Sequence, residues 1–120
     1  MSLRLELKKS DDFLGITVKV GDLSDWSNFA AFKVDIFVEG SETLEMGFRL
    51  AADDSAFYSS LYLKPGWNKG ITLTNLIEAG KKIDLTKVKS FLLYVGKGKA
   101  TSDRVIFLDN LRLSNKVRNI

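Results

Sequence analysis

Five side chains could bind a sugar if neighbouring strands bring them to one surface: Asp35, Arg49, Tyr58, Tyr62 and Tyr94. Sugar recognition needs flat aromatic rings for the apolar face of a pyranose, and planar polar groups for its hydroxyls. We expect the tyrosines to stack on sugar rings, while Asp35 and Arg49 orient hydroxyl groups. A second interpretation stays open, in which the tyrosines and Phe37 pack against a loop or a neighbouring domain and Asp35 forms a surface ion pair with Arg49.

The sequence contains few groups that could catalyse a reaction. It has no cysteine and no histidine, which excludes thiol nucleophiles, Ser–His triads, imidazole bases and zinc sites built from Cys or His. Ser–Lys catalysis, carboxylate-only catalysis and hard metals bound by oxygen remain. For a carboxylate-only enzyme, Asp35 and Glu45 could lie on neighbouring strands at the separation of a glycosidase pair. A 120-residue domain offers little room for a substrate cleft, however. We therefore predict a protein that is not an enzyme and has no cofactor.

Charge and hydropathy argue against nucleic-acid and membrane partners. The chain carries 18 basic and 15 acidic residues, a net charge of +3. The basic residues occur as scattered pairs, such as Lys81 with Lys82 and Lys97 with Lys99, whereas a nucleic-acid-binding domain concentrates them on one face. The uninterrupted apolar runs are far shorter than the ~20 residues of a membrane-spanning helix. We therefore expect neither kind of partner.

Alternating apolar and polar residues predict the strands that must position the candidate side chains. Residues 32–38 and 44–50 each show the two-residue periodicity of a strand with one buried face. We expect these two runs to form an antiparallel hairpin across a turn at 39–42, with a third strand at 58–63 beside them. The face away from the core would then carry the candidate residues of all three strands.

The spacing of strands and turns predicts an all-β fold. About eight short strands, with turn signals about every 8–12 residues, are typical of an antiparallel β-sandwich or jelly roll. The Pro65–Gly66 pair fits a type II turn. At most one short helix is expected, near 75–79, because Asn75 can cap its N-terminus.

One domain accounts for the chain. A chain of 120 residues with 45% hydrophobic residues can bury a core without a disulfide or a metal. We expect the sandwich to span residues 1–120 and to be cut from a larger protein, with 1–3 as an added leader and 114–120 as a frayed tail.

Four segments carry a family resemblance: 22–29 running into 32–38, the Pro-Gly-Trp-Asn turn in 63–68, 83–91, and the closing strand at 105–113. In this order they resemble the galactose-binding-like jelly-roll domains, which include non-catalytic carbohydrate-binding modules and accessory domains of glycoside hydrolases. The resemblance implies this fold and a sugar-binding role, and it favours a location outside the cell or on its surface. Related modules bind glycans along a sheet face, which agrees with the face that the candidate residues would share.

Three further residues match positions of that family. Trp26 and Trp67 match aromatic residues that look structural, so we expect both to pack rather than to bind. Asp109 matches an aspartate of the closing strand that helps to hold a structural calcium ion, but the N-terminal acidic segment that supplies its partner has no counterpart in this sequence. Calcium takes six to eight oxygen ligands. We therefore expect no calcium, and Asp109 is the candidate ligand if one binds.

The sequence thus predicts a non-catalytic carbohydrate-binding or accessory module whose partner is a polysaccharide or another glycan. The alternative is a structural or protein–protein interaction domain of the same fold, which uses the same face or an open sheet edge. An uncovered edge beside residues 3–7 would favour pairing with another chain. We therefore expect a homodimer, or contact with neighbouring domains of a longer chain.

Overall fold

The structure, a computed structural model, describes residues 2–7, 14–21, 23–96 and 103–115. Its strands are β1 (Ser2–Leu7), β2 (Leu14–Lys19), β3 (Phe29–Val38), β4 (Leu44–Ala51), β5 (Ala56–Leu63), β6 (Gly66–Asn75), β7 (Ser90–Val95) and β8 (Arg104–Asn115). A helix α1 spans Leu76–Ala79, and a 3₁₀ turn spans Leu85–Lys87. The predicted all-β class with one short helix is confirmed.

The strands form two antiparallel four-stranded sheets. Sheet I has the order β1-β8-β3-β6 and sheet II the order β2-β7-β4-β5. Among the strands that the structure describes, only β4 and β5 are both consecutive in the chain and neighbours in a sheet. The other connections between described strands pass from one sheet to the other, as in a jelly roll. The predicted antiparallel jelly-roll sandwich is therefore confirmed.

The predicted hairpin between residues 32–38 and 44–50 is wrong. These runs form β3 and β4, which lie in different sheets, so the segment between them crosses the sandwich instead of turning back. The guanidinium of Arg104 holds this crossover, because it donates hydrogen bonds to the carbonyl oxygens of Glu39 (3.2 Å) and Glu42 (2.6 Å). The pairing of β4 with β5 agrees with the expectation of a strand beside β4, with Leu44 opposite Leu63.

The core lies between the two sheets and contains the apolar half of each alternating strand. Val34 and Ile36 of β3 and Phe48 and Leu50 of β4 are fully buried. Aromatic rings fill one end, where Phe32 lies 4.9 Å from Trp26, 5.1 Å from Phe91 and 5.9 Å from Phe48 between ring centroids. Two rigid faces result, each with outward side chains that the core holds in fixed positions.

Local side-chain bonds fix the connection between β6 and β7. The Asn75 side chain accepts hydrogen bonds from the backbone N–H groups of Ile77 and Glu78, as predicted for an N-cap. Asp84 caps the 3₁₀ turn in the same way, by accepting from the N–H of Thr86 (3.0 Å). In the part of the chain that the structure describes, no helix has the length and apolar character needed to cross a membrane.

Candidate functional site

The outward face of sheet II brings together four of the five predicted site residues. Tyr58 of β5 lies opposite Arg49 of β4, and Tyr62 lies opposite Glu45. Tyr94 of β7 is paired across the other side of β4. Tyr58 and Tyr62 are 61% and 69% exposed. We call this surface, formed by outward residues of β4, β5 and β7, the tyrosine face.

Arg49 is oriented by its neighbour on the edge strand. Its Nε donates a hydrogen bond to the Tyr58 hydroxyl oxygen at 3.1 Å, and its guanidinium carbon lies 5.9 Å from the centre of the Tyr58 ring. Arg49 is half-buried. The guanidinium group has five N–H donors, and only one of them is needed for the bond to Tyr58. Arg49 can therefore hydrogen-bond to a molecule on this face while Tyr58 holds it in place.

Tyr94 lies across the sheet rather than standing away from it. It sits directly opposite Gly47 of β4 and Gly15 of β2. The outer half of its ring covers Gly47 so closely that a β-carbon at residue 47 would lie 2.3 Å from Tyr94 Cζ. Gly47 is buried although it belongs to the outward face, and Tyr94 itself is half-buried. The tyrosine face thus has a flat aromatic floor beside two exposed tyrosines.

The prediction that Asp35 belongs to the same face is wrong. Asp35 lies on β3 in sheet I, on the opposite side of the sandwich, because β3 does not pair with β4. It is 8% exposed, and its carboxylate accepts hydrogen bonds from Gly70 N (2.7 Å), Asn110 Nδ2 (3.4 Å) and Arg112 Nη1 (3.5 Å). Its ion-pair partner is therefore Arg112 and not Arg49.

These contacts give Asp35 a structural role. The Gly70 N–H is the main cause that lowers the pKa of the Asp35 carboxyl; burial opposes the lowering, and Asn110 and Arg112 add to it. The irregular registers of β3 with β6 and with β8 occur beside this residue, so its carboxylate connects three strands where their pairing shifts. Asp35 and Glu45 lie on different sheets, so they do not form the neighbouring carboxylate pair that the sequence suggested.

Glu45 also lies on the tyrosine face, although it was not among the five binding residues predicted from the sequence. Glu45 is exposed and lies opposite Tyr62, so its carboxylate can accept hydrogen bonds from hydroxyl groups. The sequence could have identified Glu45, because residues four apart on one strand, such as Glu45 and Arg49, point to the same face of the sheet.

A second group of aromatic residues lies on the outward face of sheet I. Trp67 is 51% exposed and contacts Phe37 edge-on at 5.4 Å between ring centroids; Phe107 lies 6.2 Å from Phe37. Lys69 Nζ lies 4.4 Å from the centre of the Trp67 ring. The expectation that Trp67 only packs is therefore incomplete, because half of it is open to water. The rings are tilted against each other and do not form one plane.

Trp26 is a core residue. It is 4% exposed, and its Nε1 donates to the Leu23 carbonyl oxygen at 2.7 Å. Its backbone N–H bonds to the Leu85 carbonyl oxygen at 2.7 Å. Trp26 therefore anchors the segment before β3, as the family resemblance implies for its position.

Asp109 has few acidic neighbours. Its Oδ1 accepts a hydrogen bond from Asn110 N at 2.9 Å, and it lies opposite Asp35 in the pairing of β3 with β8. Within residues 2–7, 14–21, 23–96 and 103–115, no group of three or more Asp, Glu, His or Cys residues could hold a metal ion. The donor set around Asp109 in this part of the chain is therefore poor for calcium, and the prediction about calcium stays a prediction.

Two surface clefts, of about 420 and 490 Å³, lie at the end of the sandwich around α1 and the 3₁₀ turn. Gly80, Lys81, Ile83 and Asp84 line both. None of the predicted site residues contributes to either cleft. The tyrosine face is thus separate from these clefts.

Comparison with known proteins supports the fold. No protein-family model matches the sequence, and no curated protein matches it. A family 11 carbohydrate-binding module from Clostridium thermocellum, in complex with a β-1,3-1,4-mixed-linked tetrasaccharide, has a TM-score of 0.72 at 14% identity over 98% of this chain and 78% of that chain. An agarase has a TM-score of 0.72 at 15% identity over 97% of this chain and 21% of its own chain. The chain therefore has the fold of a carbohydrate-binding module and spans about a fifth of the agarase.

Proposed function

We propose that the protein is a non-catalytic carbohydrate-binding or accessory module that holds a glycan against the tyrosine face. The observation that carries this proposal is the convergence of Tyr58, Tyr62, Tyr94 and Arg49 on one outward sheet surface. Exposed aromatic rings beside planar polar groups are what a sugar needs for its apolar face and its hydroxyls.

Each side chain has a distinct part in this proposal. Tyr94 forms the floor, and Tyr58 and Tyr62 stack on sugar rings from the edge strand. Arg49, held by the Tyr58 hydroxyl, donates hydrogen bonds to sugar oxygens. Glu45 takes the acceptor role that sequence analysis assigned to Asp35.

The length of the tyrosine face favours an oligosaccharide over a single sugar. Tyr58 and Tyr62 are four residues apart on β5, which places their Cα atoms about 13 Å apart along the strand. One monosaccharide is too short to contact both rings. The complex of the structural neighbour with a tetrasaccharide supports a ligand of this kind, and the carbohydrate-related neighbours support a location outside the cell or on its surface.

The experiment is calorimetric titration with a glycan panel, in the presence of calcium and of a chelator. The panel contains mixed-linked β-1,3-1,4-glucan oligosaccharides, agarose oligosaccharides, and other soluble polysaccharides. We expect binding of at least one oligosaccharide by the wild type and a clear loss in Tyr62→Ala. Equal affinity with and without calcium agrees with the expected lack of a metal, whereas loss of binding in chelator would contradict it. Failure of every glycan to bind would refute the proposed function.

A protein–protein interaction domain is the second candidate, and the half-exposed cluster of Phe37, Trp67 and Phe107 favours it. In the described part of the chain, β1 pairs with β8 alone, which leaves one of its edges open to a strand from another chain. This candidate predicts a homodimer in analytical ultracentrifugation. A monomer at high protein concentration would argue against self-association and leave a neighbouring domain as the partner.

A further inference from the structure

We infer that Gly47 is a positioning residue of the tyrosine face: the lack of a side chain at residue 47 lets the Tyr94 ring lie flat as the floor. This inference rests on the proposed function for its consequence in binding. The geometry that supports it does not depend on any ligand.

Two glycines lie opposite Tyr94, and their surroundings differ. A β-carbon at Gly15 would lie 2.6 Å from the Leu93 carbonyl oxygen and 2.8 Å from Tyr94 Cβ, so the close approach of two backbones requires that glycine. A β-carbon at Gly47 would instead meet the outer end of the Tyr94 side chain, at 2.3 Å from Cζ, 2.5 Å from the hydroxyl oxygen and 2.7 Å from Cε2. The three heavy atoms nearest to that β-carbon position all belong to the outer end of the Tyr94 side chain.

The backbone gives no other reason for a glycine at this position. Gly47 is not among the described glycines with positive φ, which are Gly21, Gly40, Gly66 and Gly70. Gly47 also lies on β4, which is paired on both sides, and a glycine in the interior of a strand is unfavourable because it loses more conformational freedom on folding. The position of the Tyr94 ring accounts for a residue that strand propensity disfavours.

The consequence is the shape of the tyrosine face. With glycine at 47, the half-buried Tyr94 ring lies low on the central strands, and the more exposed Tyr58 and Tyr62 stand on the edge strand. A methyl group at 47 would push the Tyr94 ring outward, into the space where a sugar would rest. The ring is the far end of a flexible side chain, so it can move without disturbing the sheet, and Gly47→Ala is expected to fold.

Fluorine NMR tests the positioning directly and without a ligand. The chain has three tyrosines, so 3-fluorotyrosine labelling gives a small set of signals, which single Tyr→Phe variants assign. We expect Gly47→Ala to shift the Tyr94 signal and to leave the Tyr62 signal in place. Ser60→Ala is the matched control, because Ser60 lies opposite Gly47 on β5 and is exposed. An unchanged Tyr94 signal in Gly47→Ala would overturn the inference.

A double-mutant cycle tests the consequence in binding, with the strongest oligosaccharide of the glycan panel as the probe. We expect Gly47→Ala to weaken binding by about tenfold in the wild-type background and by less than about twofold in the Tyr94→Ala background. An equal loss in both backgrounds would show that the methyl group acts on the sugar directly, and would overturn the role of Gly47 through Tyr94. If the wild type binds no glycan, the proposed function fails, while the fluorine spectra still decide the positioning.

Thermal unfolding provides a further test if Gly47→Ala folds poorly. In the wild-type background we expect the substitution to lower the Tm, because the methyl group and the ring compete for one space. In the Tyr94→Ala background we expect it to raise the Tm, because alanine loses less conformational freedom than glycine. A lower Tm in both backgrounds would contradict the inference.

Discussion

At the level of single residues, side chains that the sequence assigned to one site have different roles because they lie on different sheets. The Asp35 carboxylate is nearly buried, and its contacts with Gly70, Asn110 and Arg112 keep it ionised. Tyr58 and Tyr62 are mostly exposed and have their rings in water. A buried carboxylate with three donors stabilises the fold, whereas an exposed ring on a rigid strand is available for contact with a ligand.

The lowered pKa of Asp35 makes stability dependent on pH. Because the pKa is lower in the folded state, with the Gly70 N–H as the main cause, the stabilisation is complete above the unfolded-state pKa of about 3.9 and disappears as the pH falls through the folded-state value. We expect urea unfolding to show a decrease in stability from pH 7 to pH 3, and a smaller decrease in Asp35→Asn. Asp25 and Asp84, whose pKa values are lowered by hydrogen bonds from Ser27 and Thr86, contribute to the pH dependence that Asp35→Asn keeps.

The variant Asp35→Asn also tests which of the two sheets binds the glycan. Asp35→Asn should bind glycans with wild-type affinity at pH 7, because Asp35 lies on sheet I and faces away from the tyrosine face. A loss of affinity in a variant that remains folded would show that the sheet I surface is the binding site.

Truncation of the exposed tyrosines tests the binding face at single positions. We expect Tyr58→Ala and Tyr62→Ala each to weaken glycan affinity by about five- to tenfold, on the order of 1 kcal/mol, because each removes one stacking ring. Tyr62→Phe keeps the ring and should retain most of the affinity, whereas Tyr58→Phe keeps its ring but loses the hydroxyl that holds Arg49 and should lose more. Calorimetric titration measures all four variants, and a Tyr62→Phe variant that binds as poorly as Tyr62→Ala would show that the hydroxyl and not the ring is responsible.

At the scale of elements, one side chain holds the turn between β5 and β6. Asn68 Oδ1 accepts from Lys64 N at 3.0 Å, while its Nδ2 donates to the carbonyl oxygens of Lys64 (2.8 Å), Gly66 (3.2 Å) and Ile36 (3.3 Å). The Ile36 contact ties the turn to β3. This explains why the Pro-Gly-Trp-Asn segment was informative in the sequence: its asparagine satisfies the backbone groups that the turn leaves unpaired.

We expect Asn68→Ala to lower the free energy of unfolding by about 1–3 kcal/mol, because the carbonyl oxygens of Ile36 and Gly66 lose partly buried hydrogen bonds and the Lys64 backbone loses two exposed ones. Urea unfolding measures the change. Lys64→Ala is the matched control, since the bonds of Asn68 reach only the backbone of Lys64 and should survive. An unfolding midpoint that is unchanged in Asn68→Ala would contradict this account of the turn.

The elements themselves were largely predictable, but their partners were not. The two-residue periodicity of β3 and β4 correctly identified the core side chains, such as Val34 and Phe48, since it depends only on which face is buried. Periodicity does not say which strand is the neighbour, because any strand with a buried face could pair beside it. The short segment 39–43 could turn back or cross the sandwich, and the contacts of Arg104 that hold the crossover come from a distant part of the sequence.

At the scale of the whole molecule, the assignment of strands to sheets decides which candidate residues can act together. Arg49 and the tyrosines meet because β4, β5 and β7 are neighbours in sheet II. Asp35 is separated from them by the core, although only 14 positions separate it from Arg49 in the sequence. Residue types therefore predicted the chemistry of the tyrosine face, whereas the sheet topology decided which residues lie on it. Glu45 shares that face with Arg49 by its place on β4, whereas the role of Gly47 depends on its register with Tyr94.

We expect a glycan to bind to sheet II and not to sheet I, and NMR of one doubly labelled sample distinguishes the two sheets. The chain has three tyrosines and two tryptophans; Tyr58, Tyr62 and Tyr94 report on the tyrosine face, while the Trp67 indole reports on sheet I and the buried Trp26 indole on the core. On titration with the strongest oligosaccharide of the panel, we expect shifts of the fluorotyrosine signals and an unchanged signal of the Trp67 indole N–H. A shift of the Trp67 signal with unchanged tyrosine signals would contradict this expectation.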